Sequence, residues 1–288
     1  MGWGALLTAI SALGFSSLSI FGKLAYGAGA NVVTLLGFRF AMAALLLWAY
    51  VLLTRRPLPD RRTAFQLLFM GGVGYTAMST LFLSSVAEDR LSPALAGLLL
   101  YTYPAIVTLL AWRFDGVHLG RRQMTALVAT LGGTGLVLLA PGSTAVFTWP
   151  GALMALGASV VYSVYILLGS RVSRRSSPVV VTTFVSSAAA VVFLTFGAAT
   201  GSLVTVAPAG WWAIAGTAFF ATVIAVLFFF AGVDRLGPAR ASMISTLEPV
   251  GTAILSALVF ADRLGAVQMV GGAIVLGGIV WLQSGADT

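Results

Sequence analysis

Apolar residues run through this chain in long stretches, each ended by a short cluster of Arg, Pro, Gly or Asp. A hydrocarbon core about 30 Å thick is crossed by roughly 20 apolar helical residues. Ten runs approach that length, over 3–25, 31–53, 63–85, 92–112, 122–140, 149–170, 178–200, 209–231, 238–260 and 266–283. The pattern predicts an all-α polytopic membrane protein with ten transmembrane helices. The opening MGWGALLTAIS lacks the basic segment of a cleaved signal, so the first run is expected to remain as a helix.

Composition supports this reading, with 59% hydrophobic and 8% charged residues, against roughly 25% charged in an ordinary soluble domain. The net charge of +8 does not point to nucleic acid, because almost no polar segment exceeds a short loop. The charge reports orientation instead. Ten spans place both termini and the even-to-odd loops on one side, which collects Arg55, Arg56, Arg61, Arg62, Arg113, Arg121, Arg122, Arg171, Arg174, Arg175, Arg235 and Arg240. The other side has Lys23, Arg90 and Arg263, so the positive-inside rule predicts cytoplasmic termini. Cysteine is absent, and the single His118 lies in the charged stretch FDGVHLGRR, so no metal site or cofactor is expected. No G-x-x-x-x-G-K-[ST] occurs, so transport driven directly by ATP is not expected.

The chain repeats itself. At an offset of 145, Pro93 matches Pro238, Pro104 matches Pro249, and Gly132-Gly133 match Gly277-Gly278. Earlier in each half the offset is 147, where GALLTAISALGFSS from Gly4 parallels GALMALGASVVYSV from Gly151. The units predicted are 1–145 and 146–288, each with five spans. An odd number of spans makes the second unit enter the membrane from the opposite face, giving inverted repeats around a central cavity. Pro104 and Pro249 fall near the midplane of the fourth and ninth spans. Each deprives the carbonyl four residues earlier, Leu100 or Ser245, of its helical donor. Such a group persists in a membrane only against protein, water or ligand.

The segments FRFAMAALLLW, LSPALAGLLLYTYPAIV, LGPARASMISTLEPVGTAIL, RRQMTALVATLGGTGLVLL and AVQMVGGAIVLGGIVWL resemble the EamA family of the drug/metabolite transporter superfamily, over nearly the whole length. The resemblance implies a carrier of ten helices in two inverted repeats, moving small metabolites by alternating access and often exporting them. The general pattern is similar to amino-acid exporters, including those for aromatic amino acids. The family often has an acidic residue after the fourth and ninth spans. Asp262 supplies it but Val117 does not, so no role requiring both is expected.

Candidate site residues follow from the midplane. Ser245, Glu248 and Thr252 share one face of the ninth span, with Glu248 directly before Pro249. A carboxylate at that depth is a proton site, an amine-binding group or a charge partner for Arg39, which lies inside the second span. Tyr103 is the repeat mate of Glu248, so the two halves present different chemistry. Thr8, Ser11, Phe15 and Ser19 share a face of the first span, as do Ser159, Tyr162, Ser163 and Ser170 of the sixth, and Tyr75, Met78 and Ser79 form a patch in the third. With Leu100 these residues predict an apolar pocket edged by rings and hydroxyls. Lys23 is close enough to a helix end to snorkel. Glycine clusters near Gly132 and Gly271 are read as helix contacts.

The function expected is a secondary transporter exporting amino acids, with a passive channel, or a carrier for a nucleoside or sugar, as the alternatives. The partners expected are the small-molecule substrate and the lipid bilayer of a bacterial cytoplasmic membrane, and a monomer would suffice. No nucleophile or metal is assembled for an enzyme.

Overall fold

A computed structural model describes residues 2–115, 120–139, 145–172, 176–236, 241, 244, 245 and 247–283. His118, Val117 and Pro238 lie outside the described residues, as do the side chains of Ser170 and Arg171. The described chain is almost entirely helical. The helices are α1 (Gly2–Gly27), α2 (Val32–Leu53), α3 (Arg61–Phe69), α4 (Thr76–Val86), α5 (Pro93–Leu100), α6 (Tyr103–Asp115) and α7 (Arg121–Leu139). They continue as α8 (Trp149–Val172), α9 (Pro178–Thr200), α10 (Pro208–Ala218), α11 (Ala225–Leu236), α12 (Leu247–Phe260) and α13 (Ala266–Gln283).

Six described stretches are long and apolar enough to cross a membrane: Gly2–Gly27, Val32–Leu53, Arg61–Asp89, Trp149–Leu168, Pro178–Thr200 and Pro208–Leu236. Shorter apolar helices cover Pro93–Val107, Met124–Val137, Leu247–Phe260 and Ala266–Trp281. Large apolar side chains such as Leu45, Leu53, Trp212 and Leu258 are exposed on the outside, as lipid contact requires.

Helix starts follow local chemistry. Ser92 and Ser177 each precede a proline at the first helical turn and accept from the backbone N–H of Leu95 and Val180. Asn31 caps α2 by accepting from the Thr34 N–H. The α9 helix stops at Gly201, whose φ of 64° is left-handed. At the start of α3, the Thr63 hydroxyl of its first turn donates to Asp60 and holds that carboxyl below its usual range.

The long Arg61–Asp89 stretch changes to a π-helix over Met70–Tyr75, and Pro208–Leu236 does the same over Phe219–Ile224. A wider turn frees backbone carbonyls. Here threonine hydroxyls reach back five residues, Thr76 to the Gly71 carbonyl at 2.9 Å and Thr222 to the Thr217 carbonyl at 3.0 Å. Such segments mark functional positions more often than plain helix does.

The packing pairs elements from the two ends of the chain. The α1 helix lies on α11 and α12, α4 on α8, α2 on α9, and α7 on α13, while α5 contacts both α12 and α8. Leu35, Leu36, Phe40, Leu83, Leu95, Leu99 and Ile214 fill the centre of the apolar core. Two seams rest on glycine. A Cβ at Gly71 would lie 2.5 Å from the Val185 carbonyl oxygen and 2.7 Å from its Cα, and a Cβ at Gly133 would lie 2.7 Å from the Gly271 oxygen.

Because backbone cannot yield as a flexible side chain can, Gly71→Ala is expected to destabilise the protein by about 1 to 3 kcal/mol. Gly132, beside nothing within 4 Å, should tolerate Gly132→Ala with unchanged or slightly raised stability. Thermal unfolding of the two detergent-purified variants checks the contrast, and equal melting temperatures would refute the packing assigned to α9.

Candidate functional site

The fourth predicted span is two helices. The α5 helix ends at Leu100, Tyr101 and Thr102 form a turn, and α6 restarts at Tyr103. Pro104 therefore sits in the first turn of a new helix, where its missing N–H is tolerated, rather than kinking a continuous one. Pro249 is the third residue of the described helix Leu247–Phe260, and Ser245 just before that helix is itself helical, its hydroxyl donating to the Ala241 carbonyl at 3.1 Å. Both prolines are buried.

Hydroxyls serve the carbonyls around these breaks. Thr102 Oγ1 donates to the Leu99 carbonyl at 2.8 Å and also lies 2.8 Å from Ser159 Oγ. Ser163 Oγ contacts the Tyr103 carbonyl at 3.1 Å and the Ser159 carbonyl at 2.7 Å. In the other half, Ser16 Oγ contacts the Glu248 carbonyl at 2.8 Å and the Ala12 carbonyl at 2.7 Å. Ser16 and Ser163 are related by the offset of 147, and Tyr103 and Glu248 by 145, so one arrangement occurs twice. Thr252 Oγ1 adds contacts to the carbonyls of Glu248 at 3.0 Å and Ser16 at 3.3 Å.

The carbonyl of Ser245, freed by Pro249, accepts from the Tyr101 phenol at 2.6 Å, and the same phenol lies 3.1 Å from Glu248 Oε2. From Tyr101 a ladder of rings crosses the protein. Tyr101 meets Tyr103 at 5.6 Å between ring centroids, Tyr103 meets Tyr162 at 4.9 Å, and Tyr162 stacks on Tyr165 at 6.1 Å. Tyr165 meets Tyr75 at 5.6 Å, and Tyr75 meets Phe40 at 5.5 Å. The Arg39 guanidinium carbon lies 4.7 Å from the Phe40 centroid. The ladder uses five of the seven tyrosines in the sequence. Tyr75, Tyr103, Tyr162, Tyr165 and Glu248 are only half-buried, so the cluster keeps accessible surface.

Arg39 and Glu248 do not pair. Arg39 is 2% exposed, its Nε donates to Thr222 Oγ1 at 3.2 Å, and Tyr75 stands beside the guanidinium. Ion pairs within 4 Å include Lys23 with Asp89, at 3.2 Å, and Arg90 with Glu88. The reason is packing, since α2 lies against α9, α10 and the second π segment while α12 lies against α1 and α5.

Other expected residues separate from the ladder. Ring contacts and hydrogen bonds among the described residues do not join Phe15, Ser19, Met78, Ser79 or Leu100 to it. Ser19, Met78 and Ser79 are buried, Met78 within the apolar core, and Phe15 and Leu100 are half-buried. Thr8 and Ser11 face α11 rather than a pocket, Ser11 donating to the Ala225 carbonyl at 2.6 Å. Tyr101, Tyr165, Ser16, Phe40 and Thr222 escaped the sequence reading, although Tyr165 lies three residues beyond Tyr162 on one helical face.

A cavity of about 910 Å³ lies at the end of the fold that carries Lys23, Tyr26, Asn31, Glu88, Asp89 and Phe260. Its lining omits Glu248 and the ring ladder, so it is distinct from the midplane cluster. Lys23 does not simply snorkel. It pairs with Asp89 and lies 4.8 Å from the Phe260 ring centroid, joining α1, the segment after α4 and α12. Glu88 and Asp89 hold left-handed φ angles of 53° and 49°, a strained pair of non-glycine residues.

A relative described as the uncharacterized transporter YcbK of Bacillus subtilis (strain 168) is 25% identical over 294 residues, covering 99% of this chain and 92% of that protein. The uncharacterized transporter YyaM of the same organism is 25% identical over 250 residues, covering 84% of this chain and 81% of its own length. One solved crystal structure superposes with a TM-score of 0.67 at 19% identity, covering 96% of this chain and 95% of that one, and so shares the fold. The profile of the EamA-like transporter family matches residues 2–139 and again 149–283. The chain therefore belongs to the EamA-like transporter family, within the drug/metabolite transporter superfamily, and is a multi-pass membrane transporter.

Proposed function

We propose that this protein is a secondary transporter exporting amino acids, aromatic or other neutral ones, across the cytoplasmic membrane of a bacterium by alternating access. The observation that carries the reading is the tyrosine ladder ending at Glu248. Half-buried rings offer faces to a flat apolar side chain, and aromatic pairs at these separations are favourable by about 0.5 to 1.5 kcal/mol. A carboxylate beside them attracts a primary ammonium, the group common to amino acids.

Ten spans in two inverted repeats fit this role. The family profile matches twice, the π segments begin 149 residues apart, and the Ser16 and Ser163 contacts fall at equivalent positions. Helix breaks at the midplane permit local rearrangement without exposing backbone to lipid. With the arginine-rich side facing the cytoplasm, the Lys23 to Asp89 contact lies at the external end. There Lys23, paired with Asp89 and set over the Phe260 ring, closes elements of both halves together, and the adjoining cavity is an exit vestibule.

Purified protein in liposomes loaded with phenylalanine or another neutral amino acid should accumulate the labelled compound by counterflow. Acceleration by internal nucleosides or sugars, with none by amino acids, would overturn the substrate assignment. Labelled flux without counterflow would make the protein a channel.

Glu248→Gln keeps the shape of the side chain and an acceptor for Tyr101 while deleting the charge. Counterflow should fall about tenfold or more, in keeping with roughly 1.5 to 3 kcal/mol for a hydrogen bond to a charged group. Because Arg39 does not depend on Glu248, the melting temperature should hold. Retained transport in Glu248→Gln would remove this carboxylate from the site. Tyr101→Phe leaves the Ser245 carbonyl without its phenol donor, so it should lower stability by about 1 to 3 kcal/mol as well as transport. Thermal unfolding separates the two effects.

A further inference from the structure

Arg39 is the one deeply buried cation described, and a guanidinium cannot shed its charge in a protein. A buried charge is tolerated when it is paired and fully hydrogen-bonded. Here it has no carboxylate within 4 Å among the described residues, and its neighbours are neutral: Thr222 Oγ1, which accepts from Nε at 3.2 Å, and the Tyr75 phenol, which hydrogen-bonds to the guanidinium. A guanidinium carries five N–H donors arranged as a fork that matches a carboxylate.

Its surroundings are also unlike those of a packing arginine. Thr222 belongs to the Phe219–Ile224 π segment, and Tyr75 ends the Met70–Tyr75 π segment. Arg39 thus has a neighbour from each π segment, one from each half of the chain. The ring ladder begins at the same point, through Phe40 and Tyr75, and leads to Glu248. A cation at one end and an anion at the other mirror the two charges of a zwitterion, with apolar ring faces between them.

We infer that Arg39, oriented by Thr222 and flanked by Tyr75, is a carboxylate-recognition site on the substrate path. The inference rests on the proposed amino-acid transport and adds the group by which the substrate is chosen. Arg39 holds the substrate carboxylate with its Nη donors, while Thr222 fixes the plane of the fork. Its position between the π segments couples occupancy by an anion to the arrangement of both halves, because each segment contributes a neighbour to the guanidinium.

The test uses three aromatic probes that share a ring: phenylalanine, phenethylamine, which lacks the carboxylate, and 3-phenylpropionate, which lacks the amine. Each competes with labelled phenylalanine in proteoliposome counterflow, and binding to purified protein is measured in parallel by thermal shift. For the unaltered protein, phenethylamine should compete at least about tenfold less well than phenylalanine. In Arg39→Gln, phenylalanine should weaken to the level of the amine while binding of the amine stays the same. Thr222→Val, which removes only the orienting hydroxyl, should give a smaller loss with the same selectivity. It carries the test if Arg39→Gln does not fold.

Equal competition by phenylalanine and phenethylamine in the unaltered protein would overturn the inference. So would a parallel loss of both ligands in the variants, the signature of a purely structural arginine. If 3-phenylpropionate binds through Arg39 and phenylalanine does not, the carboxylate site stands and the amino-acid assignment falls.

Discussion

Inside a bilayer no water is available to a carbonyl that loses its helical donor, so each break in a helix must be repaired by another part of the protein. That requirement organises the centre of this molecule. The Leu99, Tyr103, Glu248 and Ser245 carbonyls take hydroxyls from Thr102, Ser163, Ser16 and Tyr101 in turn. Three of these four donors lie 60 or more residues from their acceptor, and Thr102 is the local exception. The repairs therefore cross-link the spans, and they fix the phenol of Tyr101 against the carboxylate of Glu248. The phenol that serves the backbone thus also meets the carboxylate.

The two halves share a plan but not a chemistry. At matching positions one half offers Tyr103 and the other Glu248, each with its carbonyl held by an equivalent serine. Such asymmetry suits the proposed substrate, whose two ends differ. The cation follows the same logic. It sits on α2, against elements of both halves, rather than beside the acid.

The sequence made much of this legible because membrane physics leaves strong marks. Apolar runs identified the helices, and Pro249 identified the Ser245 carbonyl as one in need of a donor. The donor itself was not legible. Tyr101 and Ser245 are separated by 144 residues, and helical periodicity relates neighbours within a few turns only. The same limit left open whether Glu248 pairs with Arg39, since charge and depth alone do not say which spans touch. The helix break beside Pro104 was announced by its proline, whereas the second π segment, FFATVI, has no proline or glycine to announce it. The site residues that separated from the ladder, Ser19, Met78 and Ser79, are small or apolar side chains that serve packing as readily as binding.

The seam between α7 and α13 has a further consequence. A Cβ on Gly133 would strike the backbone at 271, and a Cβ on Gly278 would approach the backbone of Ala126 at 3.1 Å. Positions 133 and 278 differ by 145, as do 126 and 271, so each helix presents to its partner the same surface that it receives. A contact of this reciprocal kind is what joins two identical subunits about a two-fold axis. The seam thus has the form of a dimer interface enclosed within one polypeptide. Fusion into a single chain removes the concentration dependence that a true dimer would suffer. It also lets the two sides change independently, so a bulky replacement on one side damages half of the seam and leaves the other contact in place.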